Sequence, residues 1–159
     1  MRSTVSFAIA LTSASALLAH SLPAFSAEMA AAPIEKIRAV YGMLDAAGEG
    51  NAGDPNNPYL RSVLSPGFLA LWRENTRCWD DSEGEQMWVA GQDIKLTGLS
   101  IAPTKQSADE VVVEARFKNF DDQQSWQYVF HRHEGAWLVD EVLESGQSVS
   151  QNMSKGCRK

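Results

Sequence analysis

Apolar positions recur with a helical period in the first part of the chain and with a period of two from Asp93 onward. In AAPIEKIRAVYGMLDAAGEG, Ile34, Ile37, Tyr41 and Leu44 fall on one helical stripe, Pro33 suits a first helical position, and Gly48 and Gly50 end the run. NPYLRSVL and SPGFLALWRENTR each open with a cap residue followed by proline, Asn57-Pro58 and Ser65-Pro66. That repeated signature predicts a short helix bent into a second one, with Phe68, Leu69, Leu71 and Trp72 as the second helix's apolar side. NAGDPNNP and CWDDSEGEQ read as loops by composition. The acidic one lacks the glycine and glutamate at the spacings a calcium loop requires.

DIKLTGLSIAP carries Ile94 and Leu96 on one parity and Leu99 and Ile101 on the other, so a bulge is expected at Thr97-Gly98. EVVVEARFKNF, QQSWQYVFHRH and AWLVDEVLES follow as three more strands. Two-residue turns at Asp121-Asp122 and Glu134-Gly135 set Phe117 opposite Trp126, Ala115 opposite Tyr128 and Val113 opposite Phe130. In the second hairpin they set Trp126 opposite Leu143, Tyr128 opposite Glu141, Phe130 opposite Val139 and Arg132 opposite Trp137. This register gathers Val113, Phe117, Trp126, Phe130, Val139 and Leu143 on one face, and a slip of one residue in either hairpin would scatter them. The expected fold class is α+β: N-terminal helices packed on a four-stranded antiparallel sheet, in a single domain over residues 27–159.

Residues 1–26 are set apart from that domain. Arg2, the uncharged run VSFAIALTSASALLA and the small residues of LPAFSAE follow the grammar of a cleaved secretory signal. Cleavage after Ser26 puts Ala24 at position −3, and cleavage after Ala27 puts Phe25 there; both sites stay open. The run is too short and too interrupted by Ser and Thr for a membrane span. A periplasmic or secreted location follows. Without Arg2 the chain holds 13 basic and 20 acidic side chains, a formal charge of −7, which argues against nucleic acid and anionic lipid as partners. Cys78 and Cys157 are the two cysteines, and in an oxidising compartment an even pair predicts one disulfide. Closing a loop of that length contributes about 4–5 kcal/mol in the chain-entropy model.

The order of helix, bent helices and antiparallel meander resembles the nuclear transport factor 2-like cone. More narrowly, YLRSVLSPGFLALW, the acidic WDDSE loop, AGQD (Ala90 to Asp93) and GAWLVDEV resemble an exported bacterial family catalogued as domain of unknown function 3828. Asp140 and Glu141 match the acidic pair that closes that family's last motif. The resemblance implies a curved sheet wrapped around the helices with a pocket between them. It implies no particular chemistry.

In the expected register the rung Ala115, Tyr128, Glu141 interrupts a face of bulky apolar residues and would lie under that pocket. A desolvated carboxylate there suits acid/base work with Tyr128 as an orienting donor, and Tyr41 and Asp93 are the other polar candidates for the pocket. Against this, Glu141 lies at the cone's mouth in water or pairs with Lys36 or Arg38 of the first helix. His131 and His133 place two imidazoles on one strand, but a zinc site needs at least one further ligand, from Glu134 or Asp140, and the third histidine, His20, belongs to the leader. They are read as part of a half-exposed hairpin face, with no metal and no cofactor expected. That outer face mixes Val112, Val129, Leu138 and Val142 with Arg116 and His131, the composition of a partner or homodimer surface. Two functions remain open. One is a non-catalytic module that binds an envelope protein or small ligand. The other is a pocket enzyme, an isomerase or hydrolase, using Glu141 and Tyr128.

Overall fold

The computed structural model describes residues 22–47, 56–78, 87–91 and 93–156. Its elements are α1 (Leu22–Ala47), α2 (Pro58–Val63), α3 (Pro66–Cys78), β1 (Leu96–Gln106), β2 (Glu110–Asn119), β3 (Asp122–His133), β4 (Ala136–Glu144), β5 (Gln147–Ser148) and α4 (Val149–Gly156). Residues 51–55 and 79–86 of the two expected loops lie outside the described residues, as do Cys157 and the side chain of Cys78. No described helix is long and apolar enough to cross a membrane.

The helices start where short-range chemistry directs them. Asn57 Oδ1 accepts from the amides of Tyr59 (2.9 Å) and Leu60 (3.4 Å), and Ser65 Oγ accepts from the amide of Phe68 (3.3 Å), so the two cap-proline pairs open α2 and α3. α1 departs from expectation: Pro33 stands inside it rather than in its first turn. Proline has no amide to offer the preceding turn, and the helix holds by its buried stripe of Ala30, Ile37, Val40, Tyr41 and Leu44.

The sheet has five strands in the order β1-β2-β3-β4-β5, all antiparallel, one more than the sequence predicts. The extra strand is only two residues long and folds back through Ser145-Gly146, both at positive φ (49° and 83°). The anticipated bulge in β1 is present between Thr97 and Ser100, with Gly98 at φ 66°. A second irregularity falls between Pro103 and Lys105.

Two corrections to the pairing decide where the functional groups lie. The β2–β3 turn is Phe120-Asp121, one residue earlier than expected, so Ala115 faces Trp126 and Val113 faces Tyr128. A pairing that slides by two residues keeps each side chain on its face, and Val111, Val113, Ala115, Phe117, Trp126, Tyr128 and Phe130 are all buried. Asn119 causes the shift. Its Oδ1 accepts from the Lys95 amide (2.8 Å), and its Nδ2 donates to the carbonyls of Ala90 (3.2 Å) and Asp93 (3.0 Å). These bonds fix Asn119 as the last paired residue and leave Phe120 to turn at φ 54°, a conformation rare for a bulky side chain.

The second correction is larger. The Glu134-Gly135 turn stands as expected, with Arg132 opposite Trp137 and Phe130 opposite Val139, but Val129 then pairs with Glu141. Asp140 is an extra residue, a bulge, and it reverses the faces of the rest of β4. Tyr128 therefore faces Val142, Trp126 faces Glu144, and Leu143 lies beside Gln127 on the outer side. The rung Ala115–Tyr128–Glu141 does not form.

Candidate functional site

The inner face of the sheet, where a pocket was expected, is filled by the short stretch from Met87 to Gly91. Met87, Trp88 and Val89 are buried, and the Trp88 ring stacks on Tyr128 with centroids 5.2 Å apart and planes inclined by 23°. The stretch is tied at its far end: the Ala90 amide donates to Gln124 Oε1 (2.9 Å) and its carbonyl accepts from Gln124 Nε2 (2.8 Å). Gly91 sits at φ 122°, a backbone conformation that strains any side chain, and a β-carbon there would crowd Asn119 Nδ2 at 3.2 Å.

Two of the expected pocket residues do meet. Tyr128 donates to the Tyr41 hydroxyl (2.7 Å), and Tyr41 donates to the Trp88 carbonyl (2.8 Å). The phenols thus hold the plug by its backbone. Burial pushes both hydroxyls well above the usual tyrosine range, and at Tyr128 the neighbouring Tyr41 adds to it. A group that stays neutral in the fold but ionises near pH 10 in the open chain contributes stability below that pH and loses it as pH rises further. Spectrophotometric titration should show Tyr41 and Tyr128 ionising only together with unfolding. Phenylalanine at both positions should flatten the alkaline limb of the stability curve.

The remaining pocket candidates are elsewhere. Ala115 is on the inner face beside Trp126. Asp93 is exposed, with its carbonyl engaged by Asn119. Glu141 points to the C-terminal helix: its carboxylate accepts from the Ser148 hydroxyl (2.8 Å), the Ser150 amide (3.2 Å) and the Ser150 hydroxyl. It is a cap for α4, whose buried Val149 and Met153 bind that helix to the body. Lys36 instead donates to the Ser62 carbonyl (3.0 Å), and Arg38 pairs with Glu35.

The outer face carries more chemistry than its sequence suggested. The bulge aims Asp140 between the two histidines, with Oδ2 at 3.1 Å from His131 Nδ1 and 2.7 Å from His133 Nε2. The other nitrogen of His131 lies 3.4 Å from Glu110 Oε2, and Glu110 Oε1 is 2.7 Å from Lys105 Nζ. Ser65 joins the cluster because β4 also meets the α2–α3 joint: its amide donates to the Val139 carbonyl (2.9 Å) and its side chain bonds Asp140. Partial burial alone would raise the Asp140 carboxyl, but the bonds from Ser65, His133 and His131 and the charge of His133 hold it below the ordinary aspartate range. The Lys105 hydrogen bond leads in lowering Glu110.

Of the expected partner surface, Val129 and Leu138 are half-buried, Val112 is mostly covered, and Arg116 is exposed and paired with Glu114 (2.8 Å). Val142 leaves that surface altogether, turned inward by the bulge. A signal for this was present: Val139 and Val142 stand three apart, a spacing that a regular strand cannot bury on one side. MWV was a second signal, three consecutive apolar residues ahead of a strand. No family model and no curated protein matches the chain.

Proposed function

We propose that the protein is an exported, non-catalytic binding module that recognises a protein partner in the cell envelope through the outer face of its sheet. One observation carries this reading. Trp88 and its neighbours occupy the inner face and engage both phenols, Tyr41 on the Trp88 carbonyl and Tyr128 on the Tyr41 hydroxyl, whereas the outer face offers half-buried Val129 and Leu138 beside a group of charged and imidazole side chains. Glu141, the carboxylate on which acid/base chemistry would rest, is engaged in capping a helix. The partner is an envelope protein or a second copy of the chain.

The helices on a curved antiparallel sheet fit the nuclear transport factor 2-like cone and the domain of unknown function 3828 family, and a cleaved leader and periplasmic residence complete the proposal. The Cys78–Cys157 disulfide belongs to it as well. Asn75 Nδ2 donates to the Met153 carbonyl (3.3 Å), and the two cysteines follow those residues by three and four positions.

The test is a pull-down from envelope extract with the mature protein, with and without reductant, run beside a Leu138→Asp variant whose circular dichroism matches the parent. A specific protein retained by the parent and lost by the variant supports the reading. Capture indifferent to Leu138→Asp, or a retained small molecule with no protein, overturns it.

A further inference from the structure

Among the described residues, His131 meets a carboxylate through each of its ring nitrogens: Asp140 Oδ2 lies 3.1 Å from Nδ1, and Glu110 Oε2 lies 3.4 Å from Nε2. We propose that this ring is a proton-operated latch. Doubly protonated, it ties β3 to both neighbouring strands; on losing its Nε2 proton it keeps Asp140 of β4 and releases β2 at Glu110. This rests on the side chains themselves and not on the partner proposed above.

A neutral imidazole carries one N–H and one lone pair, whereas an imidazolium donates from both nitrogens, and an ionised carboxylate only accepts. A neutral His131 therefore turns a lone pair toward a carboxylate oxygen, on Asp140 when the proton sits at Nε2 and on Glu110 when it sits at Nδ1. Only the charged ring suits both contacts at once. The carboxylates are also fixed independently of it, Asp140 by Ser65 and His133, and Glu110 by Lys105 at 2.7 Å. Of the two contacts, the one to Glu110 is the longer and opens first. His133 is placed differently: a neutral ring with its proton at Nε2 satisfies the 2.7 Å bond to Asp140.

The ring stands where two hairpins end. Its cross-strand neighbours are Glu110, the first residue of β2, and Leu138 of β4. The charged and titratable groups around it are Lys105 from β1, Glu110 from β2, His133 from β3 and Asp140 from β4, with Ser65 reaching in from the α2–α3 joint. Asp109 and Glu134 stand exposed in the two turns, and Arg132 lies over the Trp137 ring at 4.5 Å. A contact that only the protonated ring makes is present below the titration of an imidazole, which falls between about pH 5 and 8, and fades as pH rises through it. On the acid side the limit is set by the carboxylates. Both are held below their ordinary ranges, so they stay charged beneath that window and the latch is lost there only as they take up protons.

The experiment is amide hydrogen exchange on the full mature chain, followed by NMR at about pH 5.5 and about pH 8, either side of the imidazole titration, with each rate divided by its intrinsic value. Protection of residues 110–112 is expected to fall by about two- to five-fold from the lower pH to the higher, the range for one pair of exposed charges. Residues 136–139 should keep theirs. His131→Gln and Glu110→Gln, each with its fold verified by circular dichroism, should lose the dependence, the second because an amide side chain meets a neutral ring as well as a charged one. His133→Gln should retain it. Equal protection of residues 110–112 at the two pH values in the parent overturns the proposal. So does a dependence that survives His131→Gln or Glu110→Gln, or one abolished by His133→Gln, which would assign the proton to the other ring.

Discussion

Replacing Trp88 with alanine is expected to cost about 3–5 kcal/mol, the range for truncating a large aromatic in a packed interior. The indole is buried between the sheet and α1, stacked on Tyr128, while the carbonyl of the same residue receives Tyr41's proton. Its removal would strand two phenols against a void. Trp88→Phe should behave differently. The indole N–H is buried with no hydrogen-bond partner, and an unsatisfied buried donor is worth about 1–3 kcal/mol against the fold. Phenylalanine removes that donor along with some area, so its net cost should be about 1 kcal/mol. Urea unfolding of the two variants checks both figures. An alanine variant within about 1 kcal/mol of the parent would mean that this stretch is peripheral and the inner face is not sealed by it.

Removing the Glu141 carboxylate is the second large change. Glu141→Ala should destabilise the protein by about 2–3 kcal/mol, since the side chain collects a hydroxyl and an amide at the start of α4 and a second hydroxyl from Ser150. Ser148 is itself engaged with the Gln151 amide (3.1 Å), so Ser148→Ala should cost about 1 kcal/mol. The pair should be non-additive, because each loses what the other holds. An eight-residue helix does not persist alone. Hydrogen exchange in Glu141→Ala should therefore quicken first across residues 149–156, ahead of the strands. Uniform exchange over the whole sheet would contradict a local capping role.

How much of this was legible beforehand depends on the range of the forces involved. Asn57-Pro58 and Ser65-Pro66 determine their helix starts through atoms within three residues, and Gly98 marks its own bulge, so these were readable. The face carrying Phe117, Trp126, Tyr128 and Phe130 was also readable, because strand parity tolerates an error of two in the pairing. What escaped was set by partners distant in sequence. Asn119 ends β2 where it does because of carbonyls at Ala90 and Asp93, and Met87 to Gly91 is ordered by Gln124. The role of Glu141 was missed for the same reason: its bonds are made to serines that follow a turn. The two histidines were recognised as neighbours, but the third member of their group reached them only through an irregularity in β4.

That irregularity divides one strand between two sets of constraints. Up to Val139 the strand serves the interior beneath Phe130; past Glu141 the positions that meet water and the positions that avoid it have traded places. Loss of a single codon at Asp140 would remove only the extra residue, and Val139, Glu141 and Val142 would still stand opposite Phe130, Val129 and Tyr128. What would be lost lies on the outer side alone: the imidazoles of His131 and His133 would be left without the carboxylate that stands between them.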